Sequence, residues 1–476
     1  MTEALRATLE RELKLTAESS FELPSFDGEP LATRTFTSMY HDTSDGRLIE
    51  AGITMRRRVE NRRSAWQLKL PSSEGRIELE TPGAKPGEKL LSLLAGVMRG
   101  RALEEVGRLR TARSGWRCHV DGSTADVTLD RVAVLEGGRT AHRFAEVEIE
   151  LVAGSADVLE TLGAQLRAMG ARKHDGRPKI AHALRAEPPI PVPADAPPTA
   201  HVQAMLTAQY RAMVAHDPGV RLGADPEDLH QLRVATRRLR AILRAARGVV
   251  EPEWANDLRR QVAWLGALLG PVRDADVLHQ GLAARRELLD ESERRGLDVL
   301  LQILDKEAIA ARAELTDAMG SDRYFALLDT IEHAAAAPRF TDSAVSLATI
   351  ARREFIRLRK AVRALSAEST DDELHAIRIR GKRARYAAEL AEASVGKPAA
   401  RFVRRAKELQ DVIGEHQDAV VAEAALRRAA GQTRSTAAAM AAGRLIEQER
   451  KRKRRKRRAF ARAWACLDAA GRRALP

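Results

Sequence analysis

In an extended strand, residues two apart share a face. That rule gathers charge repeatedly in the N-terminal part of this chain. Glu10, Glu12 and Lys14 project together, as do Arg56 with Arg58, Arg76 with Glu78 and Glu80, and Glu146 with Glu148 and Glu150. Lys69, Asp126 and Asp130 fall on segments of the same kind. Solvent-facing residues of half-exposed strands would account for any one of these. The joint pattern puts both signs of charge on one side of strand after strand and apolar residues on the other. It predicts a closed barrel whose bore is lined with charge. Carboxylate clusters hold Mg2+ or Mn2+ through hard oxygen ligands, and Arg and Lys hold phosphate oxygens. A bore carrying both suits a metal–polyanion complex.

A second constellation is a histidine-led basic segment that occurs twice. The copies are Leu229-His230-Gln231-Leu232-Arg233-Val234-Ala235-Thr236-Arg237-Arg238-Leu239-Arg240 and Leu374-His375-Ala376-Ile377-Arg378-Ile379-Arg380-Gly381-Lys382-Arg383-Ala384-Arg385, offset by 145 residues. In the first, His230, Arg233, Arg237, Arg240 and Arg244 recur at helical spacing beside an apolar stripe of Leu229, Leu232, Leu239 and Leu243. In the second, His375, Arg378, Lys382 and Arg385 repeat the arrangement beside Leu374 and Ile377. A solvated charged face is the plain explanation of a basic helix. Here the stripe has hardly any acidic partner at i±4, so it repels itself until an anion arrives. The histidines suit a capping or core-edge role better than metal ligation, because no second His or Cys lies at ligand spacing.

The elements that must position these residues differ between the two parts. Alternating runs occur at Leu9–Leu15, Gly52–Val59, Ser64–Leu70, Arg76–Glu80, Gly115–Val120, Ala125–Asp130 and Phe144–Leu151, with helical stretches near Lys89–Met98 and Ala156–Met169. Many strands of this kind predict an antiparallel barrel or strongly curved sheet. Beyond a Pro-rich stretch, Ala, Leu and Arg take over with helical periodicity and strand signals vanish. About ten helices are expected in two homologous sets, 199–335 and 341–476. The pair Leu269–Val277 and Ile413–Val421, offset by 144 residues, extends the duplication to whole subdomains. The domain boundaries expected are therefore 1–187, a linker at 188–198, and 199–476.

Charge follows the same division. The chain of 476 residues carries a net charge of +14. Residues 1–190 hold 29 Lys and Arg against 28 Asp and Glu, and residues 191–476 hold 51 against 38. The basic excess belongs to the helical part and calls for an acidic partner such as nucleic acid, polyphosphate or anionic lipid. Nine consecutive basic residues, Arg450–Arg458, are expected to extend that anion surface by salt-sensitive contacts. Two cysteines far apart form no disulfide framework and no zinc spacing, which suits a reducing cytoplasm. No signal peptide and no apolar run long enough for a membrane helix is expected. An aromatic content of 4% leaves few platforms for stacking bases, and no helix-turn-helix or zinc-finger pattern appears, so nucleic acid is the weaker partner.

The N-terminal pattern resembles the CYTH superfamily of triphosphate tunnel metalloenzymes. Glu10-x-Glu12-x-Lys14 matches its opening signature. The likeness continues in order through Tyr40-His41-Asp42-Thr43, Met55-Arg56-Arg57-Arg58, Gln67-Leu68-Lys69, Arg76-x-Glu78-x-Glu80, Thr111-x-Arg113, Asp126 with Leu129-Asp130, Glu146 to Leu151, and Lys179. The resemblance implies an eight-stranded antiparallel tunnel that hydrolyses triphosphates with Mg2+ or Mn2+. It implies that Glu10, Glu12, Glu146, Glu148 and Glu150 bind metal. Lys14, Arg56, Arg58, Lys69, Arg76, Arg113 and Lys179 would bind phosphates. Glu78, Glu80 and Asp126 are candidates for activating water, and the sequence does not choose among them.

The C-terminal part resembles the CHAD domain, the conserved-histidine α-helical domain. The residues that carry the likeness are those of the two basic segments, with Arg273-Asp274-x-Asp276 and Gln417-Asp418. It implies an α+β chain overall, whose all-α half forms two pseudo-symmetric four-helix bundles that bind inorganic polyphosphate. The phosphate contacts would come from His230, Arg233, Arg237, Arg238, Arg240, Arg244, Arg273, His375, Arg378, Lys382, Arg383 and Arg385, with Arg352, Arg353, Arg404, Arg405 and Lys407 as weaker candidates. The expectation is a metal-dependent inorganic triphosphatase, acting on tripolyphosphate or another triphosphate, joined to a polyphosphate binder. It would be cytoplasmic and associated with polyphosphate granules, with no membrane partner. The alternatives are a non-catalytic polyphosphate-binding protein and a nucleic-acid binder.

Overall fold

The computed structural model describes residues 5–185, 190–342, 345–366 and 368–475; Pro188 and Pro189 of the expected linker lie outside them. Backbone contacts divide the chain into two compact units, Met1–Pro189 with Val214–Asp228, and Ile190–Met213 with Leu229–Pro476.

The first unit is a single antiparallel sheet of ten strands. In chain order these are β1 (Arg6–Glu10), β2 (Glu12–Ala17), β3 (Gly28–Asp42), β4 (Thr54–Glu60), β5 (Arg63–Ser72), β6 (Gly75–Pro82), β7 (Glu104–Val120), β8 (Ser123–Glu136), β9 (Arg139–Ala153) and β10 (Arg172–Lys173). The expected count of eight is corrected to ten for two physical reasons. The N-terminal run breaks at Arg11, so that β1 pairs with β6 while β2 pairs with β9. A two-residue β10 also adds to the outer side of β2. The order β1-β6-β5-β4-β3-β7-β8-β9-β2-β10 places β1 and β2 at opposite ends of the list, although only Arg11 separates them. The N-terminal strand therefore serves both edges and closes the sheet into a tunnel. The N–H of Leu151 donates to the Arg11 carbonyl (2.9 Å) at that seam.

Tight turns set the register. Asn61-Arg62, Asp121-Gly122 and Gly137-Gly138 are two-residue loops with positive φ at both positions, the mirror-image turn that matches strand twist. Apolar side chains point outward beneath short helices: α1 (Arg47–Glu50), α2 (Glu88–Leu93), α3 (Ala95–Met98), α4 (Asp157–Ala168) and α5 (Lys179–Ala183). Val158, Leu162 and Leu166 form one face of α4 and pack on Leu15, Val127, Leu129, Val147 and Ile149. Burying apolar residues outside the tunnel frees its interior for charge.

The second unit is helical. Among the described residues it contains α6 (Pro198–Leu222), α7 (Pro226–Ala245), α8 (Pro252–Ala283), α9 (Glu291–Met319), α10 (Asp322–Ala336), α11 (Leu347–Arg363), α12 (Asp371–Val395), α13 (Lys397–Gly431) and α14 (Thr436–Ala474), in part shared by α6 and α7 with the first unit. The two basic segments occupy α7 and α12, and the second repeated element falls on α8 and α13. By the repeat, α6–α9 corresponds to α11–α14; α10 packs on α8 and α9, and the Tyr210 hydroxyl of α6 donates to its Glu332 (2.8 Å). Leucines of α9 (Leu297, Leu300) meet Leu426 of α13 and Leu445 of α14 in one buried cluster. The start of α12 is fixed by a capping box in which Thr370 and Glu373 exchange side-chain bonds with each other's backbone N–H groups.

Candidate functional site

The tunnel encloses a cavity of about 380 Å3. Strand pairing explains its lining, since directly opposed residues point to the same side. Glu12 lies opposite Glu150, Lys14 opposite Glu148, and Thr16 opposite Glu146. Across the bore, Lys69 is opposite Glu78 and Gln67 opposite Glu80. Glu10, Glu12, Lys14, Arg56, Arg58, Lys69, Arg76, Glu78, Glu80, Arg113, Glu148, Glu150 and Lys179 all border the cavity. The tunnel thus brings most of the sequence-derived set into one chamber.

Two differ. Asp126 forms a two-point pair with Arg117 (2.8 and 2.9 Å) and does not border the cavity. Glu146 is buried behind the wall, where its carboxylate meets Lys179 (3.4 Å) and His174 (3.4 Å). The residue that faces the bore from β8 is Asp130, four residues beyond Asp126. Strand alternation assigns both to the same face, so the missing information was depth along the tunnel. Arg34, Phe36 and Ser38 of β3 also line the cavity. Their segment has weak alternation because Pro30 and a register shift between Leu31 and Arg34 interrupt it.

The charges are arranged in two zones. Lys179 binds Glu148 (2.6 Å) and Asp130 (2.8 Å), and Arg113 forks onto Asp130 (2.6 and 2.7 Å) while reaching Glu148 (2.5 Å). Lys14 adds contacts to Glu148 (3.0 Å) and Glu12 (3.1 Å). Burial alone would push the Glu148 carboxyl up, yet Lys179, Lys14 and Arg113 outweigh it and hold the group well below the usual range. Lys179 is raised in turn: its partners Asp130, Glu148 and Glu146 overcome the cost of burial.

The other zone is acidic and under-compensated. Burial, then the nearby Glu10, Glu12 and Glu148, push the Glu150 carboxyl up to about 7, against the pull of Lys69. Glu10 is also raised, by burial and by Glu78 and Glu12, although Lys69 is bonded to it. Glu10 and Glu150 thus resist ionising, and together with the neighbouring Glu12 and Glu148 they present clustered hard oxygen donors of the kind a divalent cation takes. Glu10, Glu12, Glu148 and Glu150 therefore fit Mg2+ or Mn2+.

Glu146, His174 and His182 form a second group whose ligand atoms lie within 4.8 Å of one another. Here the N–H of Gly176 donates to His174 Nδ1 (2.9 Å), which leaves the proton on Nε2, facing Glu146. The Lys179 ammonium also lies beside Glu146 (3.4 Å).

Opposite the acidic zone, Arg56 donates to Gln67 (2.8 Å) and to the Tyr40 hydroxyl (3.2 Å). Gln67 in turn donates to Glu78 (3.1 Å) and Glu80 (2.7 Å). The Arg58 guanidinium lies 3.7 Å from the centre of the Phe36 ring. Trp66, opposite Arg57 on the outer face, stacks near His41 at 4.7 Å and stays outside the bore.

In the helical unit, α7 and α12 face each other with related contacts. Arg233 approaches Gly270 and Arg378 approaches Gly414, since a methyl on either glycine would lie 3.9 or 4.0 Å from the guanidinium. Arg233 pairs with Asp274 (2.8 Å), and Asp418 is the counterpart that draws on Arg378. Lys382 sits in this group; burial, then Arg378, Arg237, Arg385 and Arg233, push its ammonium down to about 7. Arg238 and Arg385 share Glu389 (3.0 and 3.4 Å), so their charge is partly matched. His375 contacts Gln417 (3.1 Å), His230 is half-buried on α7, and Arg273 is half-buried on α8. Arg240, Arg244 and Arg383 lie farther along the same helices.

The run Arg450–Arg458 departs from expectation. It is inside α14, and much of it is internally neutralised. Arg450 meets Glu423 (3.1 Å), Lys453 meets Asp371 (2.9 Å), Arg454 meets Glu447 (2.9 Å) and Lys456 meets Glu415 (2.5 Å). The carboxylates come from other helices as well as its own, which a search at i±4 along one helix does not detect.

An antiparallel tunnel lined by carboxylates and cations, followed by paired helical bundles with a basic seam, defines a two-domain class of protein. Residues 8–181 match the CYTH domain family, and residues 204–427 match the CHAD domain family. Uncharacterized proteins of Mycobacterium tuberculosis strains CDC 1551 and H37Rv are each 30% identical over 459 residues, covering 87% of this chain and 87% of theirs. The chain belongs to the family in which a CYTH domain precedes a CHAD domain. Among solved structures, PptA from Streptomyces chartreusis covers 57% of this chain and 100% of its own at 24% identity and a TM-score of 0.48. The CHAD domain of the plant Ricinus communis covers 58% and 93% at 29% identity and a TM-score of 0.46. CYTH tunnel proteins act on triphosphates with divalent metals, and the family includes triphosphatases and cyclases. No helix among the described residues is long and apolar enough to cross a membrane.

Proposed function

We propose that the protein is a metal-dependent inorganic triphosphatase whose helical half binds inorganic polyphosphate. The observation that carries this is the coexistence, in one bore, of a crowded carboxylate set, two of whose members are pushed up by burial and by each other, and a ring of cations. Pure anion binding has no use for Glu10, Glu12, Glu148 and Glu150 crowded together. Mg2+ or Mn2+ held there would neutralise charge on the transferring phosphoryl group. Lys14, Arg56, Arg58, Lys69, Arg76 and Arg113 would hold phosphate oxygens and align the chain for in-line attack. Glu78 and Glu80 border the bore and are the favoured pair for orienting water; Asp126, held by Arg117, is the weaker choice.

The substrate favoured is inorganic. Phe36 and Tyr40 are the aromatic rings bordering the cavity, and Arg58 and Arg56 lie over them at 3.7 and 6.0 Å. Neither offers a bare face to a base. The seam of Arg233, Arg237, Arg378, Lys382 and Arg385 supports the polyphosphate half of the proposal, and association with polyphosphate granules would follow from it. The test is phosphate release from tripolyphosphate, ATP and thiamine triphosphate with Mg2+ or Mn2+. Release from tripolyphosphate, abolished by Glu10→Gln and Glu12→Gln, is expected. No release, or release indifferent to both substitutions, refutes the catalytic assignment and leaves a protein that merely sequesters the anion.

A further inference from the structure

Beyond the central seam, Arg247 and Arg259, which the repeated pattern does not contain, extend the cations Arg244 and Arg383, which it does. Arg247, just past the end of α7, and Arg259 on α8 both donate to the same side-chain oxygen of Asn256, at 3.5 and 3.0 Å. One neutral amide thus holds two guanidiniums together. Arg244 of α7 and Arg383 of α12 lie within electrostatic reach of them. Arg380 and Arg357 border Arg383. The carboxylate that acts on this group is Glu354, already bonded to Arg357 (2.5 Å).

Like charges gathered without matching carboxylates need a counter-ion. Three observations say that they await one. Arg247 is exposed. The Nε atoms of Arg237, Arg240 and Arg259 are shielded from solvent and have no hydrogen-bond partner. Arg244, Arg259 and Arg383 are all shifted downward, first by burial and then by neighbouring arginines, with Arg247 acting on all three.

The two groups are joined along α7. Arg237, Arg240 and Arg244 continue the stripe toward Arg247, and Arg240 passes over Gly266 of α8. From Arg237 to the end of α7 at Ala245 the helix rises about 12 Å at ~1.5 Å per residue, and Arg247 lies beyond it. A long chain can follow these cations beyond the seam, and a short oligophosphate meets fewer of them.

We infer that Arg244, Arg247, Arg259 and Arg383, organised by Asn256, form an outlying subsite for the continuation of a long inorganic polyphosphate chain, so that the helical unit selects by chain length. This rests on the polyphosphate reading of the central seam. The subsite binds phosphate oxygens only, with no covalent step.

The full-length protein, with chelator present to prevent turnover, is titrated with tetraphosphate and with long-chain polyphosphate over a range of salt. The Arg247→Ala/Arg259→Ala variant is expected to bind tetraphosphate as the wild type does. It should bind long chains about tenfold or more weakly, with the salt slope reduced by about two, one for each phosphate contact removed. Asn256→Asp, which keeps both arginines but neutralises them, should reproduce that loss and guards against misfolding as the cause. Arg237→Ala/Lys382→Ala should weaken both lengths. Long-chain binding unchanged in the first two variants, or tetraphosphate binding lost in proportion, overturns the outlying subsite and leaves the central seam standing. Wild-type protein that binds neither phosphate, or from which long polyphosphate cannot displace duplex DNA, overturns the polyphosphate reading itself and the subsite with it.

Discussion

On the proposed function, Lys382 would make anion binding a proton-linked event. On α12 it lies between Arg378 and Arg385 and faces Arg233 and Arg237 of α7, with Asp274 of α8 and Asp418 of α13 at the edge of the group. Burial and then these arginines bring its ammonium down from 10.5 to about 7. The sign follows. In the free protein at pH 8, only about a tenth of Lys382 carries a proton, and a polyanion on the seam restores the charged form. Binding should therefore take up about 0.9 proton at pH 8 and close to none at pH 6, where Lys382 is already charged. Affinity should fall as pH rises above 7, approaching tenfold per pH unit. Isothermal titration of long polyphosphate in two buffers of different ionisation heat, with chelator present, measures the uptake directly. Lys382→Arg keeps its charge throughout and should flatten the profile. Equal proton uptake in the wild type and in Lys382→Arg would refute the reasoning, because the proton would then belong to another group or to the phosphate itself.

Two further outcomes follow from the tunnel. Glu150, raised from 4.5 to about 7, costs the folded state stability as pH climbs through that window; Glu150→Gln should raise stability at pH 8 by about 1–2 kcal/mol, after discounting for partial exposure. Thermal unfolding checks this, and the same variant should lose part of its stabilisation by Mn2+. Lys179→Met strands Asp130, Glu146 and Glu148 without their shared cation and should cost about 3–5 kcal/mol by denaturant titration at pH 7. Those three carboxyls are held low in the folded state, so their contribution is present above their ordinary range and fades as pH falls through the folded values; the deficit of the variant should shrink in acid.

The sequence exposed what depends on periodicity. Alternation from Arg76 to Glu80 and from Glu146 to Glu150 identifies faces without any knowledge of partners, and the two basic helices stand out because the chain repeats them. What it hid depends on contacts between distant segments. The break at Arg11 leaves alternation intact on both sides, so one strand looks continuous although it serves two edges. Asp126 and Asp130 share a face, and only the partners Arg117 and Arg113 separate an ion pair near the rim from a group in the bore. Cations at 450–458 look unpaired because Asp371, Glu415 and Glu423 reach them from α12 and α13. The two-residue turns Asp121-Gly122 and Gly137-Gly138 are hairpin signals that fix the ends of the long strands β7, β8 and β9, which alternation alone leaves open.

The tunnel's internal pairing would couple the metal and the phosphate proposed to bind in it. Without them, its carboxylates hold the cations that would grip phosphate: Lys14 lies on Glu12 and Glu148, and Lys69 lies on Glu10 and Glu78. A divalent cation on Glu10, Glu12, Glu148 and Glu150 would release Lys14 and Lys69 toward phosphate. Phosphate on those lysines would equally release the carboxylates toward metal. Coupling of this kind is reciprocal and typically worth about 1–3 kcal/mol, or roughly 5–150-fold in affinity. Mn2+ affinity, measured by electron paramagnetic resonance and corrected for complexes formed in solution, should therefore rise by that factor when a methylene-bridged, non-hydrolysable tripolyphosphate is present. In Lys14→Met/Lys69→Met the metal should bind more tightly without phosphate, and the enhancement by phosphate should shrink. Equal Mn2+ affinity with and without the analogue in the wild type would mean that the ion pairs rearrange at no cost, and that the bore binds its two ligands independently.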